Sequence, residues 1–556
     1  MDRRFPAAGA DTLVMAALGH HQAGQLAEAQ ALYARALDLE PDHPDGLHLA
    51  GMLAFQLGRA ELAAALIGRA VAVSAATAPF HHSLGTVLEA LGRPVEAEAS
   101  YRQALALDPA HGEALNALGN TLGRRGRHDE AAEAYRRALL VTPGLAGIHS
   151  NLGNALAALG RFDEAVACYR RALELDPGSA DAESNLGMAL GALGRADEAL
   201  ACYRRALELR PGHGEAHNNL GSLLLDLGQA REALACFERA AALAPTRPEV
   251  QRNLGAALRT LGRLDEADAG YRQALALKPE SLEAHAGLSA VLAELGRAGE
   301  AAVHLRRCLE LDPTDRLGVR MRLAALGLEP VPEQVPAARL DALYQRRAHF
   351  WDQRARAGRP YNGAMLVARA VETLMPGTGT LDILDAGCGT GLVGELVAPR
   401  ARRLDGVDLS SAMLEKARQK GIYRELHLGD LVPFLAGHAQ AYDVVTCAAT
   451  LIHLRDLRPA FEAAAIALRD GGLFVFTLFP HDGERDGDEV TVGSIRGLAQ
   501  GGCYVHGRRH VARLAEAAGF TVEILADEVH EHHRGQPVTG LLVALRRRCR
   551  HPRRAD

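Results

Sequence analysis

Long apolar runs are missing from this chain. None approaches the roughly 20 residues that a helix needs to cross a bilayer. The opening MDRRFPAAGADTLVMAALGHH carries Asp11 where the apolar core of a secretion signal would lie. Paired cysteines are missing too: eight Cys are scattered with no CxxC spacing, which argues against a disulfide framework or a zinc site. A basic surplus is also absent. The formal net charge is -6, which argues against a dedicated nucleic-acid binder. Lysine occurs only as Lys278, Lys416 and Lys420, and with abundant Ala and Gly this reads as GC-rich codon usage. These absences predict a cytoplasmic protein with reduced thiols, no membrane span and no bound metal.

What is present is length and repetition. The 556 residues suffice for several domains, and 48% hydrophobic residues suffice for their cores. Pro41, Pro109, Pro143, Pro177, Pro211, Pro245, Pro279 and Pro313 fall on a 34-residue grid, broken only by Ala75. A Gly-Arg or Gly-Gln step recurs on the same period, from Gly24-Gln25 to Gly296-Arg297. Within one unit, GIHSNLGNALAALGRFDEAVACYRRALELDPGSA, Leu152, Leu156 and Leu159 make one face of a first helix. Gly160 ends it, Ala165, Tyr169 and Ala172 stripe a second helix, and Pro177 stops that one. Each unit is a helical hairpin that must bury its flank on the next.

The pattern Leu152-Gly153, Ala165, Tyr169, Ala172 and Pro177 resembles the tetratricopeptide repeat, with nine repeats from about residue 10 to 315. The resemblance implies an all-α solenoid over residues 1–315 that recruits a protein or peptide. Asn151, Asn185, Asn219 and Asn253 recur at one position and predict a ladder along the concave face. Similar ladders occur in the O-linked N-acetylglucosamine transferases, whose repeats these resemble. A side-chain amide donates and accepts at once, so the ladder can pair with a peptide main chain; it can equally brace the solenoid.

After Pro313 the pattern stops. Residues 316–337 read as a capping helix and a Pro-rich linker, and residues 338–380 as helices. From 381 strands alternate with helices, which predicts an α/β domain with a parallel sheet: strands near 381–385, 404–408, 424–428, 442–447 and 472–478, then two more near 521–528 and 538–546. A basic, disordered tail is expected over residues 548–556.

The segment LDILDAGCGTG sets Gly387, Gly389 and Gly391 at a strand end, where backbone can approach a ligand. Asp385 within that approach disfavours a pyrophosphate and suits an ammonium. Asp408 ends the second strand, where it can take ribose hydroxyls, and Asp430 follows the third, where it can accept from an adenine amine. Three acids on successive strands fit S-adenosylmethionine better than NAD.

This constellation resembles the class I S-adenosylmethionine-dependent methyltransferases, through LDILDAGCGTG, GVDLSSAML, the GD at 429–430 and YDVVTCAATLIHL. The resemblance implies a Rossmann-like domain over residues 381–547 with a seven-stranded, mostly parallel sheet. Asp385, Gly387 and Gly389 would line the methionine part, Asp408 the ribose, Asp430 with Leu431 the adenine, and Cys447 and Ala448 would lie near the sulfur; Cys388, Gly391 and Leu409 complete the expected cofactor-binding set. The whole chain resembles bacterial methyltransferases that carry tetratricopeptide repeats; LYQRRAHFWD keeps that family's helix at Phe350, Trp351 and Asp352 and departs at Gln345 and Arg347. His453 is the candidate base, and Tyr361 and His506 are candidates for the substrate pocket. His530, His532 and His533 read as a solvated strand edge rather than a metal site. The alternative is an interaction scaffold whose methyltransferase fold is non-catalytic or only senses the cofactor.

Overall fold

The computed structural model describes residues 9–330, 332, 335, 339–340, 343–344, 362–377, 380–479, 491–493, 503–533 and 536–549. The chain divides into two compact units, residues 1–223 and 224–556, and the division falls within helix Gly214–Asp226.

The first unit is a stack of helical hairpins. The pair Ala146–Ala158 and Phe162–Leu175 shows why. Leu152 and Leu156 are buried on the first helix and Ala165, Tyr169 and Ala172 on the second. Leu159 is only half-buried, because it is the residue that closes the first helix. Gly160 follows with φ 74°, the left-handed turn that glycine adopts without steric cost. Gly153 is needed for another reason, since a Cβ there would stand 2.6 Å from the Tyr169 ring. The missing carbon lets a large buried aromatic lie across the neighbouring helix backbone. Gly119 and Tyr135 repeat the arrangement at 2.6 Å.

The second unit opens with the remaining repeat helices, ending at Ala298–Leu311. The short helix Val319–Ala325 then lays Val319 and Leu323 against Leu282, Leu305 and Cys308, covering the apolar flank that the last repeat would otherwise expose. Arg322 of this helix donates to the Ala286 carbonyl at 3.0 Å and the Ser289 hydroxyl at 2.9 Å.

The α/β part contains β1 (Leu381–Ala386), β2 (Ala401–Asp408), β3 (Glu425–Leu428), β4 (Tyr442–Cys447), β5 (Leu468–Leu478), β6 (Thr491–Gly493), β7 (Cys503–Val505), β8 (Phe520–His533) and β9 (Gln536–Arg547). Seven form one sheet in the order β3-β2-β1-β4-β5-β9-β8; β6 and β7 pair separately. The first five are parallel, and β9 and β8 close the sheet antiparallel. Three-residue strands such as β6 and β7 are too short to show alternation, so nothing in the sequence marks them. β5 begins four residues before its expected start, since Gly471 at φ 80° lets the chain stay paired through an irregularity opposite Tyr442–Val444. β9 runs to Arg547, so the basic stretch starts inside the sheet: Arg546 donates to the Gly471 carbonyl at 3.0 Å, and Arg547 to that of Leu468.

Helix Asn362–Leu374 and helix Leu392–Val397 cover one face of the sheet. Helices Arg458–Ala467 and Arg508–Ala517 cover the other, where Phe461 of the first packs on Phe474 and Phe476 in one core with Phe520. Strand order reverses between β1 and β4. The chain leaves those two strands in opposite directions, and a crevice opens beyond their carboxyl ends.

Candidate functional site

A cavity of about 530 Å³ occupies that crevice, within the range usual for small-molecule sites. The loops at the carboxyl ends of four strands, β1, β2, β3 and β4, line it. Gly387, at φ 72°, donates its N–H to the Val407 carbonyl at 2.7 Å. A Cβ at Gly387 would overlap the Thr450 side chain, so this glycine permits the loops after β1 and β4 to touch. Gly389, at φ 55°, differs: nothing lies within 4 Å of where its Cβ would be. Its bare face borders the cavity.

Asp408 ties β2 to this loop. One carboxylate oxygen accepts from Gly389 N–H and the other from Ser410 N–H, both at 2.8 Å. Burial pushes its carboxyl above the ordinary range, and the backbone donors oppose that push. Asp430 is exposed at the start of helix Leu431–Ala436 and accepts from Val432 N–H at 2.8 Å. Gly387, Cys388, Gly389, Asp408, Leu409, Asp430, Leu431, Ala448 and His453 all line the cavity.

Other sequence candidates lie elsewhere. Asp385 is 1% exposed and is not on the cavity wall. It accepts from the Tyr423 hydroxyl at 2.7 Å and the Thr446 hydroxyl at 3.0 Å, beneath the loop. Burial raises its carboxyl to about 6 against those hydrogen bonds. The expectation that it faces an ammonium is therefore corrected: its side chain points into the sheet, where two hydroxyls hold it. Gly391, at φ 88°, starts helix Leu392–Val397 and is also off the wall. Cys447 is fully buried in the apolar core, which pushes its thiol up to about 12, and does not reach the cavity. Strand alternation turns it inward while Ala448 emerges.

His506 is corrected in the same way. It is fully buried and off the wall, with Nε2 donating to the Leu454 carbonyl at 3.0 Å; burial drives its imidazole down to about 4. It supports the cavity loop from behind. Tyr361 lies outside the described residues. His530 is not solvated, although β8 is the sheet edge. It is 1% exposed, packs on Phe479, and abuts Gly540, whose missing Cβ leaves room for the ring. His532 and His533 continue β8, and their side chains lie outside the described residues.

The sequence missed part of the lining. Val335, Leu340 and Tyr344, from the segment read as linker and first helix, line the cavity with Ile452 and Leu454. The Tyr344 hydroxyl lies 2.5 Å from His453 Nε2. Ala449 also lines the cavity, at φ 55°, a conformation uncommon for a residue with a side chain. No sequence signal marks it.

The asparagine ladder has internal partners. Within the first unit, Asn151 Nδ2 donates to Asn120 Oδ1 at 3.1 Å, and Asn185 Nδ2 to Asn154 Oδ1 at 3.0 Å. Those same acceptors take the hydroxyls of Tyr135 and Tyr169, each at 2.7 Å. Asn219 accepts from its neighbour Asn218 at 3.4 Å. In the second unit, Asn253 is half-buried on helix Pro248–Thr260.

A parallel sheet whose strand order reverses at a glycine loop, with acids at the ends of β2 and β3, defines an α/β domain with an open crevice at its switch point. Residues 339–525 match the family model of a methyltransferase domain. Residues 144–280, and 14–79, 82–146 and 253–316, match tetratricopeptide repeat models. The chain therefore carries tetratricopeptide repeats and a methyltransferase domain. Among bacterial relatives, it is 34% identical over 99 residues to the ubiquinone biosynthesis O-methyltransferase of Saccharophagus degradans, covering 17% of this chain and 42% of that one. It is 37% identical over 103 residues to that of Marinobacter nauticus, covering 17% and 43%. The chain thus spans less than half the length of these curated relatives. Among solved structures, YrrB, described as a TPR protein with an unusual peptide-binding site, is 25% identical over 33% of this chain and 95% of its own, with TM-score 0.30. No helix among the described residues is long and apolar enough to cross a membrane.

Proposed function

We propose that the C-terminal domain is an S-adenosylmethionine-dependent methyltransferase and that the repeats recruit a protein or peptide partner to it. The observation that carries this reading is the Asp408 carboxylate clamped on Gly389, with the bare face of that glycine open to a cavity at the switch point. The residues present fit an adenosyl sulfonium compound. Backbone at Gly387, Cys388 and Gly389 would approach its amino-acid part. Asp408 and Leu409 would meet the ribose, since each carboxylate oxygen keeps a second lone pair after accepting its backbone N–H. Asp430 and Leu431 would meet the adenine, and Ala448 would lie near the sulfur.

When bound, S-adenosylmethionine supplies an electrophilic methyl on a good leaving group. The protein's own contribution is then positioning and exclusion of water. Val335, Leu340, Ile452 and Leu454 give the apolar wall. His453, which borders the cavity with its Nε2 on the Tyr344 hydroxyl, would take a proton from an acceptor that must lose one.

Isothermal titration of the full chain with S-adenosylmethionine tests the reading. Binding that Asp408→Ala weakens at least tenfold is expected. No binding to the unmodified chain, or equal binding to the variant, would overturn it. Turnover to S-adenosylhomocysteine in lysate separates an enzyme from a scaffold that only senses the compound.

A further inference from the structure

One repeat junction departs from the others in charge. In the first unit, Asn154 accepts from the Tyr169 hydroxyl and from Asn185, so neutral amides close the junction between two repeats. Three repeats further on, the equivalent residues are Ala256, Tyr271 and Gly287. Neither amide remains, and the buried Tyr271 ring leans over Gly287, where a Cβ would overlap it.

Cations surround this phenol instead. Arg252, Ala256 and Arg259 lie at i, i+4 and i+7 on one face of helix Pro248–Thr260. Among the nine repeats, no other has arginine or lysine at either of those arginine positions. Both charges act on the Tyr271 hydroxyl, Arg259 more strongly than Arg252. Arg322 comes from helix Val319–Ala325, and its Nη2 makes both of its hydrogen bonds, to the Ala286 carbonyl and the Ser289 hydroxyl. Burial first, and the Arg259 charge second, pull its guanidinium down to about 10. All three arginines are half-buried. One carboxylate answers them: Glu294 pairs with Arg259 at 3.1 Å. Among the described residues, neither Arg252 nor Arg322 has a carboxylate within ion-pair distance. Withdrawing a guanidinium from water without a counter-ion is unfavourable, so the surplus marks a place for an anion.

We propose that this junction binds a phosphate monoester, held by Arg252, Arg259 and Arg322 with the Tyr271 hydroxyl. The charge fits. Three cations against one carboxylate leave a surplus of two, and a phosphate monoester carries about two negative charges near neutral pH. A carboxylate ligand would leave one guanidinium unmatched. The donors fit as well. Planar guanidinium forks meet phosphate oxygens two at a time. A phenol that accepts from Arg259 still has its own O–H to give. The site goes beyond the recruiting role of the repeats and does not depend on the methyl donor. A phosphorylated peptide and a small phosphate ester present the same chemistry to it.

Titration calorimetry of the full chain with methyl phosphate, at pH 8 and low salt, tests the site. One equivalent is expected to bind. Arg252→Gln breaks no ion pair or hydrogen bond among the described residues. It is expected to weaken binding at least fivefold, the loss of one charge-assisted hydrogen bond. Arg322→Gln, with its fold checked by circular dichroism, is expected to do the same. Arg204→Gln removes an equal charge from an exposed position in the first unit and is expected to change affinity less than twofold. Acetate is expected to bind at least tenfold more weakly than methyl phosphate. No saturable binding of methyl phosphate, equal affinity in Arg252→Gln, an equal loss in Arg204→Gln, or acetate bound as tightly would each overturn the proposal. A phosphoserine peptide of otherwise uncharged residues separates the two sources. Binding at least tenfold tighter than methyl phosphate assigns the site to a phosphorylated partner, and equal binding assigns it to a small phosphate ester.

Discussion

The hydroxyl of Tyr423 is donated to the carboxylate of Asp385 at 2.7 Å, beneath the glycine loop and away from the cavity. The acid of the loop motif is thus part of the floor. Tyr423→Phe deletes one charge-assisted hydrogen bond from a buried carboxylate and is expected to cost about 2 kcal/mol of stability at pH 7. Because Asp385 does not line the cavity, the folded variant is expected to bind S-adenosylmethionine as the unmodified chain does. Urea unfolding and calorimetry on the same preparation check both parts.

Glycines two residues apart should fail for different reasons. Gly387→Ala puts a methyl into the Thr450 side chain and is expected to destabilise the domain by about 1–3 kcal/mol. Gly389→Ala meets no atom and pays only for its left-handed backbone, about 1–2 kcal/mol. Its methyl enters the cavity, however, so it is expected to abolish donor binding in a protein that still melts cooperatively. Thermal unfolding and titration calorimetry of the two variants side by side separate the cases.

Acid stability involves opposed signs. His506 and His530 sit at about 4 in the fold against 6.5 in an unfolded chain. Between those values the unfolded chain binds more protons, so stability falls as pH drops, by roughly 3 kcal/mol for each histidine. Asp385 sits at about 6 against 3.8. There the folded chain binds more protons, and stability rises by about 3 kcal/mol as pH drops through 6 towards 4. The histidines outweigh it. Asp385→Asn removes the offset, so its stability is expected to fall more steeply between pH 6.5 and 4.5 than that of the unmodified chain. Urea midpoints at half-unit steps across that range decide; equal slopes would contradict the assignment.

Asn154 accepts from both Tyr169 and Asn185, so it joins two repeats at one oxygen. Asn154→Ala leaves a buried phenol hydroxyl without that acceptor and is expected to cost about 1–3 kcal/mol. Asn185→Ala removes only an exposed donor and is expected to cost less than about 1 kcal/mol. Circular dichroism during urea titration of the full chain ranks them, and equal losses would count against the bracing role.

The sequence by itself determined the repeats and the order of strands and helices. Those features rest on spacing: a 34-residue period, glycine at each turn, and alternation of apolar strand with helix, all of which local physics reads without knowing the neighbours. It also determined which loops meet at the crevice, because Gly387, Asp408 and Asp430 each end or follow a strand of one parallel sheet. Only the tertiary structure decided which way those side chains face. Asp385 and Cys447 belong to the same motifs as Gly389 and Ala448, yet turn into the core, because facing in a strand follows from its packed neighbours, here Tyr423, Thr446 and the apolar core around Phe474. Likewise, nothing near residue 344 tells that its phenol will lie on His453, 109 positions away. Such a contact between distant segments exists only once the chain has folded and brought them together.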